Sequence, residues 1–170
     1  MKNQKKRNKK YSLNYIDDEL NNTGLIPDYA SGKLAEAISC LPEEIIDFIF
    51  ESQVFLTLDN KTTAEQWFFD DFRFSGKKGF ILLSDSLWDK EPIQIAFIIA
   101  HEVAHAFKNH NFNSYKNIDS GDIDGIEDTK KREKEAGGLA TLWLRPHFNL
   151  EDLKKLKYKD CQFKSPQPTQ

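Results

Sequence analysis

The chain has few cysteines and no long apolar run, and each scarcity excludes a class of protein. Cys40 and Cys161, the two cysteines among 170 residues, are far apart and do not form a C-x-x-C ligand pair. No apolar run approaches the roughly 20 residues that a membrane-spanning helix needs. The lysine-rich start is followed by no apolar signal segment. We therefore expect a cytoplasmic protein with reduced thiols and no membrane span.

Length and composition indicate one globular domain between two polar tails. Hydrophobic residues make up 39% of the chain, charged residues 30%, and the formal net charge is −3. We expect residues 13–160 to form the domain, since this length is ample for one core. The basic tail 1–12 and the polar tail 161–170 have no apolar period, so we expect both to be disordered. The remainder is acidic on balance, which argues against a nucleic-acid-binding surface outside the basic tail.

Apolar patterns predict an α+β fold. Short helices are expected before residue 41, and a further helix begins at Leu41-Pro42-Glu43-Glu44. The three strand candidates are 54–58, 67–72 and 79–84. Turn residues at 75–78 predict a hairpin between the last two strands, so the small sheet should be at least partly antiparallel. The later helices are predicted to run from 91 to 109–111, from 129 to 144 and from 150 to 158, with a loop over 113–128.

The segment His101-Glu102-Val103-Ala104-His105 carries the strongest chemical signal. Residues four apart lie on one face of a helix, so the imidazoles of His101 and His105 can converge on one ion. Glu102 would point toward a water held by that ion, as the catalytic base does in zinc hydrolases. The surrounding helix is largely apolar, and buried histidine and glutamate side chains need polar partners or a metal. The segment therefore predicts a Zn²⁺ site.

A third protein ligand is expected from the helix that follows. Glu133 shares one face with Ala136 and Ala140 at spacings of three and four residues. Glu135 lies roughly 200° round the same helix. The small residues 136–138 would allow this helix to approach the first one closely. Glu133 is the predicted third ligand, with Glu135 as the runner-up.

The two remaining histidines fit the metal site less well. His110 follows His105 by five residues, whereas the metzincin pattern needs six and an intervening glycine, so His110 is a weak alternative ligand. His147 follows a proline and is expected at the surface. A peptidase also needs a donor for the oxyanion of its tetrahedral intermediate. His110, Tyr115 and His147 are open candidates for that donor.

Three stretches together resemble the ImmA/IrrE-type metallopeptidases. They are the strand 79–84, the segment 96–105 with H-E-x-x-H, and the segment 133–146 with its E-x-x-A start and terminal proline. The resemblance covers about residues 79–146. It implies a compact gluzincin (zincin-like) fold in which a small sheet packs on the H-E-x-x-H helix and a second helix bears a glutamate. By this match His101, His105 and Glu133 would bind zinc, and Glu102 would be the general base.

The same resemblance implies an activity. Members cleave protein substrates, in known cases transcriptional repressors or stress regulators, so we expect a zinc endopeptidase that uses a glutamate-activated, zinc-bound water. Gly137 departs from the family pattern, which has Asp or Asn there to orient a ligating histidine, and this weakens the case for strong catalysis. The alternatives are a catalytically silent zinc domain that recognises a protein or nucleic-acid partner, and a zinc-stabilised structural domain.

Overall fold

A computed structural model describes residues 11–21, 26–58, 64–68, 79–110 and 123–156. Most of both predicted tails, residues 1–10 and 161–170, lies outside this part of the chain. The elements in order are α1 (Leu13–Asn21), α2 (Asp28–Ser39), α3 (Glu43–Ser52), β1 (Gln53–Leu58), β2 (Ala64–Phe68), β3 (Gly79–Ser84), a 3₁₀ turn (Asp85–Asp89), α4 (Pro92–Phe107), α5 (Ile123–Leu144) and α6 (Leu150–Lys155). The predicted α+β class is confirmed.

The three described strands form one small sheet with β3 in the middle, in the order β1-β3-β2. β3 pairs parallel with β1, where Val54 lies opposite Phe80, and antiparallel with β2, where Trp67 lies opposite Phe80. Ile81 and Leu83, on one face of β3, are fully buried in the core. The predicted turn at 75–78 and the end of the predicted second strand lie outside the described residues.

Helix α4 lies in the middle of the fold and carries the H-E-x-x-H segment. Its start is as predicted: Pro92 takes the first helical position, and the side-chain oxygen of Gln94 accepts the N–H of Glu91 at 3.2 Å. Every residue from 95 to 106 except Glu102 is buried. Although α4 is so apolar, it has only 16 residues, and no helix in the described ranges is long and apolar enough to cross a membrane.

The end of α4 differs slightly from the prediction. The helix ends at Phe107, before the predicted end at 109–111. Asn109 adopts a φ of 55°, which is the left-handed conformation that asparagine tolerates better than most residues. Because a left-handed residue cannot continue an α-helix, the chain turns back at this point.

Helix α5 packs along α4 and is longer than predicted. It begins at Ile123 rather than at residue 129, so the predicted loop is wrong over 123–128, and its remainder lies outside the described residues. An ion pair between Asp128 and Arg132, one turn apart, stabilises this polar start. The predicted inward face is confirmed, since Ala136, Ala140 and Leu144 are fully buried.

The short helix α6 follows a turn after α5 and buries Leu153. Asn149 caps its start, because the Asn149 side-chain oxygen accepts the N–H of Glu151 at 2.8 Å. α6 ends at Lys155, and the rest of the predicted segment, from residue 157, lies outside the described residues.

Candidate metal centre

Three predicted site residues meet where α5 lies against α4. The Nε2 atoms of His101 and His105 are 3.1 Å apart, and the Oε2 atom of Glu133 lies 3.0 Å from the first and 3.4 Å from the second. All three residues are buried, with exposed fractions of 2%, 9% and 8%. Among the described residues, these three side chains form the cluster that could hold a metal ion. That they bind a metal stays a prediction.

The donor atoms fit a zinc ion. Bonds of about 2.0–2.1 Å to a tetrahedral ion place its ligand atoms about 3.3–3.4 Å apart, close to the separations between the His101, His105 and Glu133 donors. Two imidazole nitrogens favour zinc and similar transition metals over magnesium or calcium, which prefer oxygen ligands. Three protein donors leave a fourth position for water or substrate, as in catalytic zinc sites.

Glu133 supplies the negative charge of the cluster. Burial alone would raise the pKa of this carboxyl group, but hydrogen bonds with His101 and His105 outweigh burial and hold the pKa well below its usual range. Glu133 is therefore a carboxylate at neutral pH. This carboxylate and the two imidazole nitrogens together form a ligand set suited to a divalent cation.

Glu102, the predicted general base, follows His101 directly on α4. It is half-buried, whereas its neighbours His101 and Val103 are buried, so its side chain lies at the border between core and solvent. A base that receives a proton from water needs this kind of access. Its catalytic role stays a prediction.

Gly137 lies directly beside His101. A Cβ atom at position 137 would be 3.9 Å from the Nδ1 atom of His101, an ordinary van der Waals contact, while a Cβ at Gly138 would have no neighbour within 4 Å. Position 137 therefore faces the nitrogen of His101 that points away from the donor cluster. A short polar side chain there would be able to bond that ring, which is the role that the family resemblance implies for Asp or Asn.

The two alternative ligands lie outside the donor cluster but next to it. The Nδ1 atom of His110 is 3.1 Å from the Nδ1 atom of His105, on the side of that ring away from Glu133. Glu135 is 40% exposed, and its carboxylate lies 2.8 Å from Lys108 Nζ and 3.5 Å from His110 Nε2. Neither side chain joins the three donors.

Electrostatic contacts set the charge states of this outer pair. Burial, then the neighbouring His105, lowers the pKa of His110, so its neutral form dominates near neutral pH. The hydrogen bond from Lys108 holds the pKa of the Glu135 carboxyl below its ordinary value. The spacing of the histidines did not predict this arrangement, but the asparagine at position 109 was a readable signal for a left-handed helix end.

The other candidates for the oxyanion donor are not assigned by the geometry. His147 is exposed in the turn after α5, as predicted. Tyr115 lies outside the described residues.

Comparison with known proteins supports a metallopeptidase. Residues 71–119 match the family model of Peptidase family M48, whose members are metal-dependent. The matched stretch is less than a third of the chain; it includes β3 and the whole of α4 but ends before Glu133. No curated protein and no solved structure matches the chain. The match supports a zinc metallopeptidase family, and it does not reach the more specific ImmA/IrrE type.

Proposed function

We propose that this chain is a zinc-dependent endopeptidase of the gluzincin type. The observation that carries the proposal is the buried triangle of donor atoms from His101, His105 and Glu133, with edges of 3.0 to 3.4 Å. The match of residues 71–119 to Peptidase family M48 supports the same reaction class independently of Glu133. The ImmA/IrrE resemblance goes further and rests on the sequence motifs alone.

The mechanism follows from the positions of the side chains. His101, His105 and Glu133 would hold the ion, and zinc, when bound, supplies a Lewis acid that polarises the scissile carbonyl and acidifies water. Glu102, half-buried beside this cluster, takes a proton from the attacking water and returns it to the leaving amine. The buried environment of the histidines strengthens these electrostatic interactions because little water screens them.

The substrate we propose is a protein, cleaved within its chain. By the family resemblance, a transcriptional regulator in the cytoplasm is the first candidate. A direct test is a search for cleaved proteins after the enzyme is switched on in cells.

Three variants test the proposal. Glu102→Gln should retain zinc but lower kcat/KM on fluorescein-labelled casein by about 10²–10⁴-fold, the usual contribution of a positioned acid–base group. Glu133→Gln should lose both zinc and activity, because the change removes the anionic donor. Glu151→Gln is the matched control, since Glu151 is an exposed residue of α6 that pairs with Lys154, and it should change neither quantity. Full activity in Glu102→Gln would refute the mechanism.

A second candidate function is a zinc-binding domain without catalytic activity that recognises a protein or nucleic-acid partner. Gly137 favours it, because position 137 faces His101 but offers no side chain to orient the ring. This candidate predicts one equivalent of zinc, no cleavage of any offered protein, and loss of nucleic-acid binding when residues 1–10 are removed. Zinc-dependent cleavage of casein that Glu102→Gln abolishes would exclude it.

A further inference from the structure

The end of α4 brings a third histidine back onto the candidate metal centre. The N–H of Asn109 donates to the carbonyl of Ala106 at 3.1 Å, and the N–H of His110 donates to the carbonyl of His105 at 2.9 Å. With Asn109 in the left-handed conformation, these two bonds form a Schellman helix end. The backbone itself therefore fixes His110 over the last turn of α4.

The side chains continue this contact. The rings of His105 and His110 meet edge to face with centroids 5.1 Å apart, and their Nδ1 atoms are 3.1 Å apart. On the far side of His110, the Nε2 atom faces a carboxylate oxygen of Glu135 at 3.5 Å, and Lys108 holds the other oxygen of that carboxylate at 2.8 Å. His105, His110 and Glu135 thus form a continuous chain from the donor cluster toward solvent.

The chemistry of imidazole decides which nitrogen donates and which accepts in this series of contacts. A histidine that binds a metal through Nε2 carries its single proton on Nδ1. His105 must then donate, and the Nδ1 atom of His110 must accept. The remaining proton of His110 is consequently on Nε2, where it points at the carboxylate of Glu135.

We propose that His110, supported by Glu135, is a positioning residue that orients the His105 ring for metal binding. The inference rests on the proposed metal centre but not on peptidase activity. Metal-binding histidines commonly donate their second N–H to a carboxylate or carbonyl, which fixes the ring and raises its basicity. Here the neutral ring of His110 takes the place of that carboxylate or carbonyl. The contact of 3.5 Å to Glu135 is long for a hydrogen bond, so its carboxylate acts mainly through charge.

His110 does not act as a fourth ligand in this arrangement. The two nitrogens of one imidazole point in widely divergent directions, and His110 contacts the Nδ1 atom of His105 while Glu133 contacts the Nε2 atom. His110 and Glu133 therefore lie on opposite sides of the His105 ring. His110 would therefore leave room on the ion for a water molecule.

The test compares zinc affinity in four full-length proteins by competition with a fluorescent chelator. His110→Leu should weaken zinc binding by about 10–100-fold, as loss of an outer hydrogen-bond partner does elsewhere. His110→Gln should restore most of the affinity, because its amide oxygen can accept the proton of His105. His147→Leu is the matched control on an exposed histidine, and its affinity should equal that of the unmodified chain.

The outcomes separate this inference from the proposed function. Equal affinities for His110→Leu and the unmodified chain would overturn the inference and leave the metal centre in place. An unmodified chain that binds no zinc would overturn both.

If His110→Leu does not fold, imidazole ¹⁵N NMR of the unmodified, zinc-loaded chain tests the inference by locating the proton on each ring. We expect a proton on Nδ1 of His105 and on Nε2 of His110. A proton on Nδ1 of His110, or a metal-bound shift for either of its nitrogens, would overturn the inference.

Discussion

Replacing Gly137 with aspartate should tighten zinc binding. A Cβ atom at this position would lie 3.9 Å from the Nδ1 atom of His101 and would meet nothing closer, so the added Cβ fits without moving its neighbours. The carboxylate oxygens extend beyond Cβ and can therefore come within hydrogen-bond distance of that nitrogen. Because His101 would bind zinc through Nε2, its Nδ1 atom carries a proton that the new carboxylate can accept.

The expected gain is larger than the expected cost. Outer partners of metal-binding histidines change affinity by about 10–100-fold, which corresponds to about 1.4–2.7 kcal/mol. The new carboxylate would lie one helical turn from Glu133, and like charges at this spacing cost about 0.2–0.5 kcal/mol on an exposed helix and more in this buried cluster, where the charge of a bound zinc ion would offset the repulsion. The hydrogen bond to His101 therefore wins in the zinc-loaded protein. Without zinc, the repulsion should make the variant slightly less stable than its control.

The control is Gly138→Asp. It makes the same change in charge and helix propensity one residue further along α5, where a Cβ has no neighbour within 4 Å. Zinc affinity is measured by chelator competition, and melting temperature with and without zinc. The zinc-induced rise in Tm should be about 3–11 °C greater for Gly137→Asp than for Gly138→Asp, since 1 kcal/mol shifts Tm by about 2–4 °C in a domain of this size. Equal affinities would show that position 137 does not orient His101.

Three further predictions concern the metal and the two helices that hold its proposed ligands. At a free zinc concentration of a thousand times its dissociation constant, chelation should lower the free energy of unfolding by about 4 kcal/mol and Tm by about 8–16 °C. The melt should stay cooperative, because the large apolar core does not need the metal. Loss of the transition would indicate that zinc is purely structural. Asn109→Ala should be about 1–2 kcal/mol less stable than Asn109→Gly, because a left-handed residue with a Cβ carries that penalty and glycine does not; equal melts of the two variants would contradict the left-handed end. Ala140→Leu should lower the free energy of unfolding by about 1–3 kcal/mol, because the larger side chain overpacks the core. It should also weaken zinc binding, because α5 moves away from α4. Leu142→Ala, at a side chain 49% exposed on the same helix, should do neither, and an unchanged melt for Ala140→Leu would refute close contact of the helices.

The parts of the fold that the sequence predicted are those with a strong local signal. β3 follows from a run of apolar β-forming residues between a glycine and a serine, and α4 from a proline start and an apolar stretch. The inward face of α5 follows from the spacing of Glu133, Ala136 and Ala140, which needs only the 100° turn of a helix. These inferences depend on neighbours within a few residues.

The parts that escaped prediction depend on contacts between distant segments. The start of α5, residues 123–128, contains a glycine and three acidic residues, so its local pattern resembles a loop, and the ion pair between Asp128 and Arg132 forms only once the helix exists. The approach of His110 to Glu135 depends on how α5 lies against α4, which no local pattern specifies. The contact of His110 with His105 was easier to predict from the sequence, since it needs one left-handed residue, and asparagine at position 109 favours that conformation.

The donor atoms belong to two helices of very different burial, and this difference bears on how the protein opens. α4 is buried along nearly all its length, whereas α5 exposes Lys130, Lys131 and Lys134 on its outer face. In native-state hydrogen exchange, amides of α5 should therefore exchange by small openings that leave α4 closed. A cation held by both helices would forbid such openings, because α5 could not leave without giving up Glu133 as a ligand. With zinc bound, the amides of α5 would therefore exchange only as slowly as the core unfolds globally.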